Sequence, residues 1–433
     1  MTTRTLISSI VILAGLVVGV PRNVEAAPNA GKQVAVSTVL DSACSVLTKG
    51  PYLQAPGKDT MTICWETTNG APGVVLFGKG SALDRQAGPI QPMRVDIPAD
   101  ATNKTASSPG AFFVYEAVLT GLLPGATYQY AIQCGGQRGG QHSFTTLDPA
   151  KPDVTFIVYG DSRSGPDVHQ KLAEQFPAYK PSFILHSGDL VSKGEKYSLW
   201  GRQFFFPLAR VIDHIPMLPS IGNHEGNGAN YLAYFHLPPP ERYYSFDAGP
   251  VHVLVLDDHK TSDQDEQFAF AKKDLSASRA PWKVVLLHAP MFNLGGHKSF
   301  WKGNSCYLPL FRSNQVDVVF AGHSHIYERF RPLVPRAEPG AWPIQHITSG
   351  GGGAPLYETV THPALLAVAK KYHFLVIHAT AEKFAARVID VDGQEFDRFT
   401  IGKRNGILDP DWRSQCAIEE DVQDAGTRRK KEE

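Results

Sequence analysis

Residues 182–190, SFILHSGDL, hold the pattern that decides the fold: an apolar run ending in Ser-Gly-Asp, with Asp189 at its tip. A run of this kind reads as a buried strand. Four more blocks share the design: VTFIVYGDSR at 154–163, PMLPSIGNHE at 216–225, KVVLLHAP at 283–290 and VVFAGHSH at 318–325. Each delivers a carboxylate, an amide or an imidazole just past its apolar run. These are Asp161, Asn223 with His224, His288, and His323 with His325. Strand ends of an open α/β sheet gather at one edge, where such folds bind ligands. Mixed nitrogen and oxygen donors suit a pair of metal ions such as Fe, Zn or Mn better than calcium or an all-oxygen magnesium site.

The donor types divide the work. A carboxylate can bridge two cations, and Asp189 is the residue for that role. Asp161 can hold one metal terminally, Asn223 can offer a neutral carbonyl oxygen to the other, and His288, His323 and His325 supply imidazole nitrogens. The two histidines of GHSH would face opposite ways in an extended segment. On a turn past a strand end they can reach neighbouring metals. Two metals about 4 Å apart can bind a shared hydroxide and clamp a phosphoryl group for in-line attack, so no serine or cysteine nucleophile is needed.

The rest of the chain sets the context. At 433 residues it is too long for one ordinary core, so two domains are expected. Its 42 Lys+Arg balance 42 Asp+Glu, which argues against a nucleic-acid footprint. The N-terminus reads as a secretory signal peptide over residues 1–26, cleaved after Ala26: Arg4, then LISSIVILAGLVVGV, then small residues at Val24 and Ala26. That apolar stretch is short for a membrane span, and no later segment is long and apolar enough. The expectation is a secreted or periplasmic protein with no membrane segment after cleavage. Its five cysteines (Cys44, Cys64, Cys134, Cys306, Cys416) show no C-x-x-C spacing, so a zinc ribbon is not expected. Cys64 and Cys134 lie in strand-like segments.

Residues 27–48 read as a flexible lead-in. Residues 49–147 are all-β, with short strands such as TMTICWETT and TYQYAIQC between Gly/Pro turns, as in a β-sandwich. The Pro-rich LDPAKPD marks a boundary. Residues 153–402 alternate strands with helices and then return to β character, an α/β domain. One helix is announced by Ser262 as its cap with Asp265 as capping-box partner, and Phe268, Ala271 and Leu275 as its inner face. The polar tail, 403–433, is expected to fray.

GDSR, GDL, GNHE, LLHAP and GHSH, followed by YERF, resemble the signature of calcineurin-like metallophosphoesterases. With the preceding sandwich, which is similar to a fibronectin type III domain with Tyr128 or Tyr130 packing across it, residues 49–402 resemble the purple acid phosphatase branch. The resemblance implies a four-layer αββα sandwich after the all-β domain. It also implies two metals: one on Asp161, Asp189 and His325, the other on Asp189, Asn223, His288 and His323. His224 and His297 would face the substrate, His224 orienting phosphate or protonating the leaving alkoxide. The implied reaction is phosphomonoester hydrolysis by a metal-bound hydroxide, with a small-molecule phosphoester as partner. Rival readings are a phosphodiesterase or nucleotide pyrophosphatase on the same site, and a non-catalytic adhesion or carbohydrate-binding protein.

Two positions depart from the family. Purple enzymes have Tyr three residues after the bridging Asp, where this chain has Ser192. Other metallophosphoesterases read D-x-H where this chain reads Asp161-Ser162-Arg163. The first metal is thus short of one protein ligand, and a colourless enzyme is expected. Arg163 reads as a phosphate clamp or, alternatively, as a salt bridge holding Asp161 or another carboxylate. His186 reads as a core residue, Tyr327-Glu328-Arg329 as a buttress of the GHSH turn, and SGGGGAP (349–355) as a tight turn near the site, since it lacks the G-K-[ST] ending of a phosphate loop.

Overall fold

The structure is a computed structural model and describes residues 47–97, 110–297 and 300–432. The expected signal peptide and nearly all of the expected lead-in lie outside the described residues. The first domain is two antiparallel sheets. One runs Leu47–Gln54, Met61–Thr67, Ala111–Leu119, Met93–Asp96. The other centres on Gly73–Lys79 and Thr127–Cys134. Strand Ala111–Leu119 shows why the sandwich needs a neighbour. Alternate residues face opposite ways, so Tyr115, Ala117 and Leu119 fill the sandwich core while Phe112 and Val114 pack into the core shared with the second domain. Both tyrosines expected to pack in the sandwich are buried there. The Tyr128 hydroxyl accepts from Leu123 N–H at 2.9 Å, whereas Tyr130 donates across to the Asp213 carbonyl at 2.6 Å.

The second domain is the layered α/β sandwich. Its two sheets have seven strands each. In the first, Asp153–Tyr159, Phe183–His186 and Met217–Pro219 run parallel. In the second, Val251–Val255, Trp282–Leu286, Val318–Ala321 and Gln345–Ser349 do. Period two again assigns the faces. Val284 and Leu286 point to the first sheet; Val285 and Leu287 point to helices Glu266–Ala277 and Asn304–Ser313. Helix Pro166–Ala173 covers the other outer face through Leu172 and Ala173. Phe183 meets Phe246 and Trp282 meets Phe384 between the sheets. Phe183 is fully buried, so Phe183→Ala would cost about 3–5 kcal/mol.

Two expectations change. Helix Glu266–Ala277 is capped by Asp265, not Ser262. Ser262 and Asp265 instead close a turn one step earlier, the Asp265 carboxylate accepting from Ser262 N–H at 3.0 Å. The inner face does hold Ala271 and Leu275, with Gln267 buried beside them and Phe268 only partly so. Second, the tail does not fray. It completes a strand to Arg404, forms Ile407–Leu408 and a helix capped by Asp409, pairs Ala417–Ile418 with Leu333–Val334, and ends in helix Glu419–Glu432. A few anchors suffice: Trp412 and Val422 are buried, and Lys403 pairs with buried Asp317. LLAVA at 365–369 adds a strand within the stretch expected to return to β character. Cys64, Cys306 and Cys416 are free thiols among the described residues, and Cys64 and Cys134 are buried. No described helix is long and apolar enough to cross a membrane.

Candidate metal centre

Each of the five blocks ends a parallel strand at the same edge of the two sheets. Asp161, Asp189 and His323 then take positive φ, at 57°, 57° and 64°. Such conformations are strained for most residues and are held only where surroundings impose them. The surroundings are visible here. Asp161 N–H donates to Gly188 O at 3.0 Å, and Asp161 O accepts from Ala354 N–H at 2.8 Å. Asp161 Oδ2 accepts from His323 N–H at 2.8 Å. The GHSH turn can lie this close because position 322 is glycine; a Cβ there would stand 2.3 Å from Asp161 Oδ2.

Two donor groups result, sharing Asp189. Asp189, His288 and His323 offer one set; Asp161, Asp189 and His325 offer the other, each with its ligand atoms within 4.8 Å of one another. Asn223 joins the first set, its Oδ1 lying 3.1 Å from His288 Nε2. His288 Nδ1 donates to Ser187 O at 2.7 Å, and His325 Nδ1 to Pro355 O at 2.8 Å. Those bonds direct each Nε2 inward with its lone pair available in the neutral ring. His288 Nε2 thus meets Asn223 Oδ1, Asp189 Oδ1 at 3.3 Å and His323 Nδ1 at 3.2 Å. So many convergent acceptors call for a positive charge among them. Burial opposes charge on His288, but the carboxylates of Asp189, Asp161 and Asp258 outweigh it and raise its pKa to about 9. Burial, then the positive potential of His288 and His297, pushes His323 down to about 2. Asp161 Oδ1 is buried with no hydrogen-bond partner and lies 3.4 Å from His325 Nε2. An orphaned carboxylate oxygen of this kind is costly unless a cation meets it. The donor set fits two metal ions.

Arg163 lies on this cluster. Its Nε donates to Asp189 Oδ2 at 3.2 Å and its Nη2 to His325 Nε2 at 3.3 Å, so the ion pair is with Asp189 rather than Asp161. His224 donates through Nδ1 to Ser192 O at 2.7 Å, leaving Nε2 3.8 Å from Asp189 Oδ2. His297 is itself exposed, at the end of a largely buried loop, its ring 4.2 Å from that of His323 and its N–H bonded to Ser324 Oγ. Burial, then His325 and His288, lower its pKa. Ser192 contributes backbone only to the contacts seen here: N–H to Gln203 and O to His224. His186 is a core residue, accepting from Gly188 N–H and donating to Ser162 Oγ at 3.0 Å. Glu328 takes Gly295 N–H at 2.7 Å and so holds the loop that carries His297, whereas Tyr327 and Arg329 both bind Asp397 on strand Glu395–Arg404 and tie their own strand there instead.

Two residues escaped the sequence reading. Glu225 is fully buried and accepts from the backbone N–H groups of Asp189, Leu190, Val191 and Gly222. Burial and the neighbouring Asp189 push its pKa up to about 8, against the pull of those donors. It holds the bridging aspartate's loop to the GNHE turn. Tyr357 stacks on His325 at 4.4 Å and donates its backbone N–H to His325 O. Nothing in PLYE marks it. The glycines of SGGGGAP serve close approach rather than a turn through positive φ. A Cβ at Gly352 would lie 2.4 Å from Gly160 O, and one at Gly353 2.5 Å from Ser162 O.

Residues 154–327 match the family model of calcineurin-like phosphoesterases, and residues 49–146 match the purple acid phosphatase N-terminal domain. The fold and the paired donor sets therefore define a metallophosphoesterase, a hydrolase of phosphoesters. The chain is 30% identical to purple acid phosphatase 22 of Arabidopsis thaliana over 334 residues, covering 70% of this chain and 71% of the relative. Purple acid phosphatase 21 of the same plant is 28% identical over 326 residues, 70% of each. The chain belongs to the purple acid phosphatase family, whose centre is dinuclear. The structure of purple acid phosphatase PPD1 from yellow lupin (Lupinus luteus) shares its fold, with a TM-score of 0.70 at 18% identity over 85% of this chain and 75% of that one.

Proposed function

We propose that this protein is an exported phosphomonoesterase. Asp161, Asp189 and His325 would hold one metal, and Asp189, Asn223, His288 and His323 the other, drawn from Fe, Zn or Mn. The observation that carries this reading is the pair of donor sets meeting at Asp189, with Asp161 Oδ1 buried and unpartnered beside them. Bound there, the metals supply Lewis acidity and a hydroxide nucleophile near neutral pH. The chain's own residues do the rest. Arg163 meets the phosphoryl oxygens with its fork, Asp189 and His325 keeping that guanidinium in place. His224 has committed Nδ1 to Ser192, so only the imidazolium carries a proton on Nε2 for the departing alkoxide. That proton goes to the ester oxygen as the P–O bond breaks, and no phosphoenzyme forms. His297, its ring beside that of His323, would also face the substrate.

Export rests on the N-terminal stretch alone, and a shift of the mature N-terminus to residue 27 would test it. The chemistry is tested with p-nitrophenyl phosphate, its bis ester and nucleotides, run beside metal analysis. Turnover of the monoester above the others supports the proposal; preference for the bis ester assigns the site to diesters. If Asp189→Asn abolishes no hydrolysis, the site is not the working part of the molecule.

A further inference from the structure

The sandwich domain has a fully buried carboxylate, Glu66, at the junction with the catalytic domain. Within the sandwich it binds Thr48 Oγ1 and, through both oxygens, Lys49 Nζ at 2.6 and 2.7 Å. Its other partners belong to the catalytic domain: Tyr197 OH on Oε1 and Tyr234 OH on Oε2, both at 2.7 Å. Lys49 Nζ also lies 4.0 Å from the Tyr197 ring centroid. A buried carboxylate saturated with donors fixes those donors more firmly than apolar contact does.

Both tyrosines stand at the base of the segment that holds His224. Tyr197 is followed by Trp200, whose indole N–H donates to Gly194 O at 2.8 Å. Asn230, on the Tyr234 helix, donates to the same carbonyl at 2.7 Å. Gly194 N–H then donates to His224 O at 2.7 Å, and Ser192 O takes the proton of His224 Nδ1. Gly194 has no room for a side chain, since a Cβ would lie 2.4 Å from Glu225 O. The 192–200 segment is therefore clamped to His224 on one side and to Glu66 on the other.

We propose that Glu66, through Tyr197 and Tyr234, is a positioning residue for His224, so that the sandwich domain sets the aim of the histidine that protonates the leaving group. This rests on the role given to His224 above. The test is a leaving-group comparison. An alkyl phosphate needs its leaving oxygen protonated, whereas p-nitrophenolate leaves without help.

Tyr197→Phe keeps the ring and removes one bond to Glu66. It should lower kcat for an alkyl phosphate about three- to tenfold, while kcat for p-nitrophenyl phosphate and metal content stay at wild-type values. Tyr234→Phe should act alike. Tyr130→Phe removes another interdomain bond, one leading to Asp213 and away from His224, and should leave the alkyl-to-aryl ratio unchanged. Equal loss on both substrates, loss of metal, an unchanged ratio in both variants, or the same shift in Tyr130→Phe overturns the inference. His224→Ala separates the two claims: if it leaves the ratio unaltered, the role of His224 fails; if it shifts the ratio and Tyr197→Phe does not, only the inference does.

Discussion

Replacing Arg163 with Ala probes the least family-like part of the site. The guanidinium is 15% exposed and bonded to Asp189 and His325, so solvent substitutes poorly for it. As a phosphate clamp it offers charge-assisted hydrogen bonds worth about 1.5–3 kcal/mol together. At about 1.4 kcal/mol per tenfold, KM for a phosphomonoester should rise about 10- to 150-fold. Metal content should stay at two per chain, because Asp161, Asp189 and His325 remain. Arg163→Lys keeps the charge without the fork and should recover part of the loss. Steady-state kinetics with metal analysis on the same preparations decides. Unchanged KM refutes the clamp. Loss of one metal shows instead that the ion pair with Asp189 holds the ligand in place.

Other predictions reach beyond that residue. His346 is buried with both ring nitrogens unpartnered among the described residues, and burial, then Arg312, lowers its pKa from 6.5 to about 3. The unfolded chain binds the proton first, so stability falls as pH drops below 6.5. Between pH 7.5 and 5 the loss is ~2 kcal/mol. His346→Leu should remove that slope and be the more stable protein in urea unfolding at pH 5; a slope equal to wild type contradicts it. Gly353→Ala should push the glycine loop off the Asp161 turn, costing about 1–3 kcal/mol and one metal per chain. Metal-replete protein should be colourless, since Ser192 replaces the expected tyrosine; an intense visible tyrosinate band would show a ligand we have not assigned.

Much of the site was legible because its residues sit in short blocks at strand ends. Asp161, Asp189, Asn223, His288, His323 and His325 each follow an apolar run, and the sheets carry all six to one edge. What could not be read lies in contacts between distant segments. Glu225 stands in the quoted GNHE block, but its role as acceptor for backbone amides, like the ring face of Tyr357, leaves no pattern in a single sequence. The tail deceived for a related reason: its polar composition conceals Trp412, Val422 and the Lys403–Asp317 pair, a few anchors spread among charges. Likewise the glycine run suggested a turn, but its value lies in clearance from Gly160 and Ser162, which belong to the turn after strand Asp153–Tyr159.

The central claim is that two metals sharing Asp189 make this chain a phosphatase. Its most direct test is stepwise return of metal to chelator-treated protein, following bound metal and p-nitrophenyl phosphate hydrolysis together. The account predicts that activity is complete only at two metals per chain, and that Asp189→Asn reaches neither that content nor that activity. Full activity in metal-free protein, or at a single metal per chain, would contradict it.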